Sequence, residues 1–186
     1  MQSPPGTLRL FFALAPAATQ SAALAEQAAP LISLLGAQRV PPENFHATLC
    51  FIGAVAPERL TPLREIVAGI RGKRATLRFE ALEHWAKPGV MCATVPDNSQ
   101  SEAARALAQQ LAASLMAANF SPDVKPFRAH LTLARKVQRA QAVACGFPRP
   151  LTPPFVVDCE RFVLMQSRRG ESVSIYSVVE SWPLYA

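Results

Sequence analysis

Histidine, tryptophan, tyrosine and cysteine are all scarce in this chain of 186 residues, at three, two, two and four copies. The four cysteines, Cys50, Cys92, Cys145 and Cys159, are widely spaced and form no C-x-x-C pair. That spacing argues against a zinc knuckle and a thioredoxin-like redox pair and reads as the reduced thiols of a cytoplasmic protein. With only three scattered histidines, neither a metal site nor a cofactor is expected. Long apolar runs are missing too. The stretch 10–18 is apolar, but Pro16 interrupts it and it falls far short of the roughly 20 residues a membrane span needs. Arg9 stands alone before it, with no cationic cluster, so neither a secretory leader nor a membrane partner is expected. Acidic residues are few, 13 against 19 lysines and arginines, leaving a net charge of +6. Such a surface attracts polyanions at long range, phosphate or nucleic acid first among them.

What is present is enough to fold. Hydrophobic residues make up 50% of the chain and charged residues 17%, so burial can offset the entropy of ordering the backbone. The length admits one well-cored domain, or two small lobes sharing a core, and is too short for two ordinary independent domains. Residues 1–186 are read as one domain built of two lobes, and as a monomer.

Residues 9–15 (RLFFALA) form a short apolar run between Pro-Pro-Gly and Pro16, the pattern of a buried strand. The Ala/Leu/Gln-rich stretch 19–35 predicts a helix in spite of Pro30. A turn at 40–44 leads into a strand at 45–52 closed by Gly53, and 57–70 has helical spacing of Leu60, Leu63, Ile66, Val67 and Ile70. Strands at 76–82 and 90–95 flank a Lys87-Pro88-Gly89 turn and form a hairpin. Asn98 or Ser99 caps a helix running to Ala118. Strands follow at 126–133, 156–165 and 173–181, the last two joined by a turn at 167–170. Strands outnumber helices and are joined by both hairpins and helices, which predicts an α+β fold rather than a doubly wound parallel sheet.

The chemical signal is a repeated word. His46-Ala47-Thr48-Leu49 and His130-Leu131-Thr132-Leu133 both read H-x-T-L. With eight threonines in the chain, two of three histidines would carry Thr at the second following position by chance in roughly half a percent of cases. On a strand the side-chain period is two, so His46 and Thr48 share one face, as do His130 and Thr132. Leu49, Phe51, Leu131 and Leu133 are expected on the other, apolar face. A single such histidine is more often a structural residue whose ring is satisfied by a backbone carbonyl; two copies reverse that preference. Two imidazoles facing one phosphate can act as acid and base without metal, because an ordinary imidazole titrates near neutral pH. The threonine hydroxyls can hydrogen-bond the non-bridging oxygens, where charge builds up.

The motifs, with their flanks Arg9-Leu10-Phe11-Phe12-Ala13, Val40-Pro41-x-x-Asn44-x-His46, Pro126-Phe127-x-x-His130 and Ala134-Arg135, resemble the two-histidine (2H) phosphoesterase superfamily. Within it they look like the bacterial and archaeal RNA 2',3'-cyclic phosphodiesterases, also called 2'-5' RNA ligases. The resemblance implies a bilobal fold in which two antiparallel sheets, flanked by helices, enclose a central cleft with pseudo-two-fold symmetry and one H-x-T motif on each wall. It implies that His46 donates a proton to the leaving 3' oxygen and that His130 takes one from water; the residues alone leave that assignment open. The implied partner is RNA with a 2',3'-cyclic phosphate end, or a small nucleotide. Phe11, Arg135 and Tyr176 are the implied substrate-binding residues, with Phe11 stacking on the terminal base. Strict alternation turns Arg135 away from the His130 face unless a bulge intervenes. His84-Trp85 lies outside both motifs and is read as structural. The competing functions are RNA ligation, hydrolysis of a small cyclic nucleotide or an ADP-ribose derivative, and nucleotide binding without turnover.

Overall fold

The computed structural model describes residues 6–95, 101–170 and 174–186. Among the described residues nine strands form two antiparallel sheets: β1 (Leu8–Leu14), β2 (Gln38–Arg39), β3 (Ala47–Val55), β4 (Ala75–Trp85), β5 (Val90–Thr94), β6 (His130–Arg135), β7 (Arg149–Cys159), β8 (Arg161–Arg169) and β9 (Ser174–Pro183). The helices are α1 (Ala18–Leu34), α2 (Leu60–Ala68), α3 (Glu102–Ala117) and the short α4 (Arg139–Ala144). One sheet has the order β3-β1-β8-β9 and the other β2-β6-β5-β4-β7, which is the expected α+β architecture with a histidine motif in each sheet. The first sheet takes its strands from the two ends of the chain, and the second mostly from the middle. No described helix is long and apolar enough to cross a membrane.

Alternation on β1 divides its side chains between two clusters. Leu10, Phe12 and Leu14 enter the main core, which takes buried side chains from both sheets and from helices α1 to α4, such as Leu24, Leu63, Leu107 and Ala142. Phe11 and Ala13 face the opposite way and meet Met165 of β8 in a small second cluster edged by Phe51, Val163 and Tyr176. The three most buried cysteines, Cys50, Cys92 and Cys159, are free thiols, and burial pushes them up to about 11, 12 and 12. They therefore stay protonated and poorly nucleophilic at neutral pH.

The elements depart from the sequence expectation in instructive places. Gly53 does not close its strand. It adopts φ +87° beside a register shift at Ile52, and β3 runs on to Val55, a backbone setting that glycine enters at little cost. The strand expected over 126–133 begins only at His130 and continues to Arg135. The run 156–165 is not one strand but the end of β7 and the start of β8, which lie in different sheets and part at Glu160. β7 itself contains Pro150, Pro153 and Pro154, and two features make that tolerable. It is an edge strand, and its ladder with β4 jumps from Phe79–Phe155 to Ala81–Pro150, so the prolines need not donate to the ladder. Carbonyls in this irregular stretch accept from α1 instead: Gln27 Nε2 donates to Pro153 O (2.8 Å) and Gln20 Nε2 to Val156 O (3.3 Å). The turn expected at 167–170 is mostly strand, since β8 extends to Arg169. Asn98 and Ser99 lie outside the described residues, and α3 begins after Ser101.

Phe12 is completely buried and its ring lies 6.1 Å from Phe162 and 5.9 Å from Trp182. Phe12→Ala is therefore expected to lower the unfolding free energy by about 3–5 kcal/mol in a denaturant titration; a loss under about 1 kcal/mol would contradict this packing.

Candidate active site

Both histidines are held in the same way by their own chain. His46 immediately precedes β3, and its Nδ1–H donates to the carbonyl of Asn44 at 2.7 Å. His130 opens β6, and its Nδ1–H donates to the carbonyl of Arg128, also at 2.7 Å. A carbonyl can only accept, so in each ring the proton on Nδ1 is fixed and Nε2 is the atom that gains or loses one. Asn44 is itself buried and anchored, its Nδ2 donating to Ser174 O of β9 at 3.3 Å.

The two strands share a second device. In β3, Phe12 pairs with Cys50 and Ala13 with Thr48, leaving Leu49 as an extra residue. In β6, Met91 pairs with Ala134 and Cys92 with Thr132, leaving Leu133 extra. Each bulge falls on the leucine of H-x-T-L, so two successive residues, Leu49-Cys50 and Leu133-Ala134, turn into the core. The fifth residue after each histidine is thereby returned to the face of the motif. On β3 that residue is Phe51, which stacks on Phe11 at 5.3 Å and 11°, correcting the expectation that Phe51 faces the core with Leu49. On β6 it is Arg135, brought to the His130–Thr132 face by the bulge that strict alternation required. Arg135 is half-buried, and its charge acts on His46 of the other sheet.

Aromatic rings surround both imidazoles. Phe11 lies 4.8 Å from His46, and Tyr176 meets His46 edge-on at 5.0 Å. Phe11 is completely buried, which corrects its expected role: a ring with no exposed face cannot stack on a base, and Phe11 instead forms the floor beneath His46. Tyr176 is half-buried and adjoins both. On the other wall Trp85 packs against His130, centroids 4.4 Å apart, so it belongs to the site rather than to structure alone. Sequence reasoning also missed Glu83 and Arg128. Glu83 and Trp85 are two apart on β4, but what brings them to the site is register: Glu83 pairs with Cys92, which pairs with Thr132.

The electrostatics differ between the walls. His46 is lowered to about 4, chiefly by burial, which outweighs the Asn44 hydrogen bond and is reinforced by the positive charges of His130 and Arg135. That influence of His130 on His46, with β3 and β6 in contact, brings the two motifs close together. His130 is also lowered, first by burial and then by the Arg128 guanidinium, while the Arg128 carbonyl and the Glu83 carboxylate pull the other way. Thr132 Oγ1 lies 3.8 Å from Cys92 Sγ. Among the described residues no group of three His, Cys, Asp or Glu is placed to hold a metal ion.

Comparison with known proteins agrees with this geometry. The family model described as LigT like Phosphoesterase matches residues 14–92 and 95–176. The chain is 26% identical over 147 residues to an RNA 2',3'-cyclic phosphodiesterase of Geobacillus stearothermophilus, covering 76% of this chain and 46% of that one. It is 30% identical over 115 residues to a protein of the same name from Archaeoglobus fulgidus, covering 61% and 64%. The chain thus spans less than two thirds of the length of either curated relative. Among solved structures, E. coli LigT complexed with 3'-AMP superposes with a TM-score of 0.83 at 22% identity, covering 96% of this chain and 98% of that one. That likeness establishes a common fold. Since the matched residues take in both H-x-T-L strands and well over half of the chain, the chain belongs to the LigT-like phosphoesterase family.

Proposed function

We propose that this phosphoesterase hydrolyses RNA 2',3'-cyclic phosphodiester ends to 2'-phosphomonoesters, using His46 and His130 as a metal-independent acid and base. The carrying observation is the matched pair of Nδ1–carbonyl bonds, which leaves both rings with Nε2 as the titrating atom. In this reading water attacks phosphorus as His130 Nε2 takes its proton. The bond from phosphorus to the 3' oxygen breaks, and His46 Nε2–H gives that oxygen its proton. The products are a 2'-phosphate and a free 3' hydroxyl, with one proton moved from His46 to His130. Thr48 and Thr132 donate to the non-bridging oxygens, and Arg135 offsets their charge. Tyr176, half-buried at the edge of His46, is the residue offered to the terminal nucleoside. The names of the two relatives support this substrate. A cytoplasmic location and a monomeric state complete the reading.

The local charges support the direction of proton flow. At His130 the Glu83 carboxylate offsets part of the Arg128 charge, whereas His46 feels the positive charges of His130 and Arg135 with no carboxylate against them. Burial keeps His46 neutral at pH 7. An incoming phosphodiester anion opposes the effect of burial, so substrate and the proton on His46 bind together.

With an oligoribonucleotide ending in a 2',3'-cyclic phosphate, in the presence of EDTA, product chromatography is expected to show a 2'-phosphate. His46→Ala and His130→Ala are each expected to lower kcat at least about 10²-fold; full activity of either variant, or loss of parent activity on chelation, would defeat the mechanism. A second test concerns stability. His46 titrates at about 4 in the folded chain against an ordinary 6.5, so the unfolded chain takes up this proton first as pH falls. Stability is complete above pH 6.5 and is lost as pH drops toward 4. The melting temperature is expected to fall over that window less steeply in His46→Gln than in the parent, and parallel curves would show that His46 is not held neutral by folding.

A further inference from the structure

Among the side chains around the site that lie outside both motifs, Glu83 is tied to three others by hydrogen bonds. Its Oε2 accepts from Trp85 Nε1 at 2.8 Å and its Oε1 from the fully buried Thr94 Oγ1 at 3.0 Å. Arg128 Nη2 donates to both oxygens, at 2.7 and 2.6 Å. The carboxylate thus ties β4, β5 and the segment just before β6 together. Although burial pushes Glu83 up, the hydrogen bonds from Trp85 and Thr94 and the charge of Arg128 outweigh it and hold the group below the usual carboxylate range. It is ionised at neutral pH.

Two of its partners are the residues that hold His130. The Arg128 carbonyl accepts from His130 Nδ1–H, and the Trp85 ring packs on the imidazole. The Arg128 guanidinium lies over Trp85 as well, 4.9 Å from the ring centroid. The layers are therefore His130, Trp85 and Arg128, with Glu83 bonded to the second and third. His46 is braced differently, by Phe11 and Tyr176 packing on its ring and by Asn44, whose Nδ2 is anchored to Ser174 O. The walls are alike in motif and bulge but unlike in what braces the imidazole.

Resting on the phosphodiesterase reading above, we infer that Glu83 is a positioning residue for His130: it fixes Trp85 and Arg128 against the imidazole and supplies the negative charge that receives the proton-bearing ring. When His130 takes the proton from water, the new imidazolium faces Arg128 at its own strand's entrance, Arg135 further along β6 and His46 across the cleft, all potential cations. Glu83 on β4 is the counter-charge to them, and the neighbouring thiol of Cys92 on β5 is neutral because burial holds it at about 12. Without Glu83, Arg128 would add an uncompensated positive charge to that set.

The test uses NMR titration of the histidine rings in the full chain together with steady-state kinetics. Glu83→Gln keeps an acceptor and removes the charge, and is expected to move the His130 titration to lower pH while leaving His46 nearly in place. Arg128→Ala keeps the backbone carbonyl and is expected to move His130 to higher pH. In Glu83→Gln, kcat is expected to fall about 10- to 100-fold with KM changed less than about threefold, and the acid limb of the kcat/KM profile is expected to follow His130 downward. Shifts of the same sign in the two variants, an unmoved His130, or a fall in KM affinity at constant kcat would overturn the assignment. The ring titrations need no substrate, so they decide the role of Glu83 even if the cyclic phosphodiester is not the substrate. Should Glu83→Gln not fold, the upward shift in Arg128→Ala, or its absence, decides the charge balance at His130 by itself.

Discussion

The site depends on a hydrogen bond made twice. In each sheet a histidine ring is pinned through Nδ1 to the carbonyl two residues earlier in its own chain. Because this bond is local to the strand entrance, its geometry follows from the backbone, and the tautomer follows from the geometry. Everything chemical then falls to Nε2. The threonine two residues on shares that face by the period of the strand, so one short stretch of backbone presents a titrating nitrogen and a hydroxyl together. Two such stretches, on strands that touch, are what the proposed acid–base pair requires.

The bulges explain why a simple strand would not suffice. A regular strand would place the residue five positions after each histidine on the buried face. The extra leucine reverses this, and the two walls use the freed position differently: Phe51 packs on Phe11 beneath His46, whereas Arg135 places charge near both imidazoles. The chemistry is thus asymmetric on a symmetric frame. His46 sits in an apolar, aromatic setting that makes its imidazolium a strong acid. His130 sits beside an ionised carboxylate that makes it a better resting place for a proton. Burial costs both rings some basicity; a backbone carbonyl returns part of it to each, and at His130 the Glu83 carboxylate adds to that return.

The motif, the fold class and the pairing of His46 with Thr48 and His130 with Thr132 were legible because they depend on short-range periodicity. The strand over 9–15 and the helices over 19–35 and 57–70 were legible for the same reason, with boundaries shifted by one to three residues. What was hidden depends on register between strands. The bulges at Leu49 and Leu133 leave no mark that a one-strand pattern can reveal, so Phe51 was placed on the wrong face and Arg135 needed a condition. Phe11 was read as a base platform because its place on β1 is right, yet three aromatic neighbours from other strands cover it. Trp85, Glu83 and Arg128 come from β4 and from the segment before β6, and only the β4–β5–β6 ladder brings them to His130. The prolines of β7 hid an edge strand, since edge position is a property of the sheet and not of the segment.

The central claim is that both imidazoles serve one phosphate. Its most direct measurement is a titration of the protein with a nucleoside 2'-monophosphate, followed through the ring resonances of His46 and His130. The account predicts that both respond along one saturation curve, with Nδ1 remaining protonated in each, and that both rings titrate at higher pH in the complex. A response from one histidine alone, or two responses with separate affinities, would contradict it.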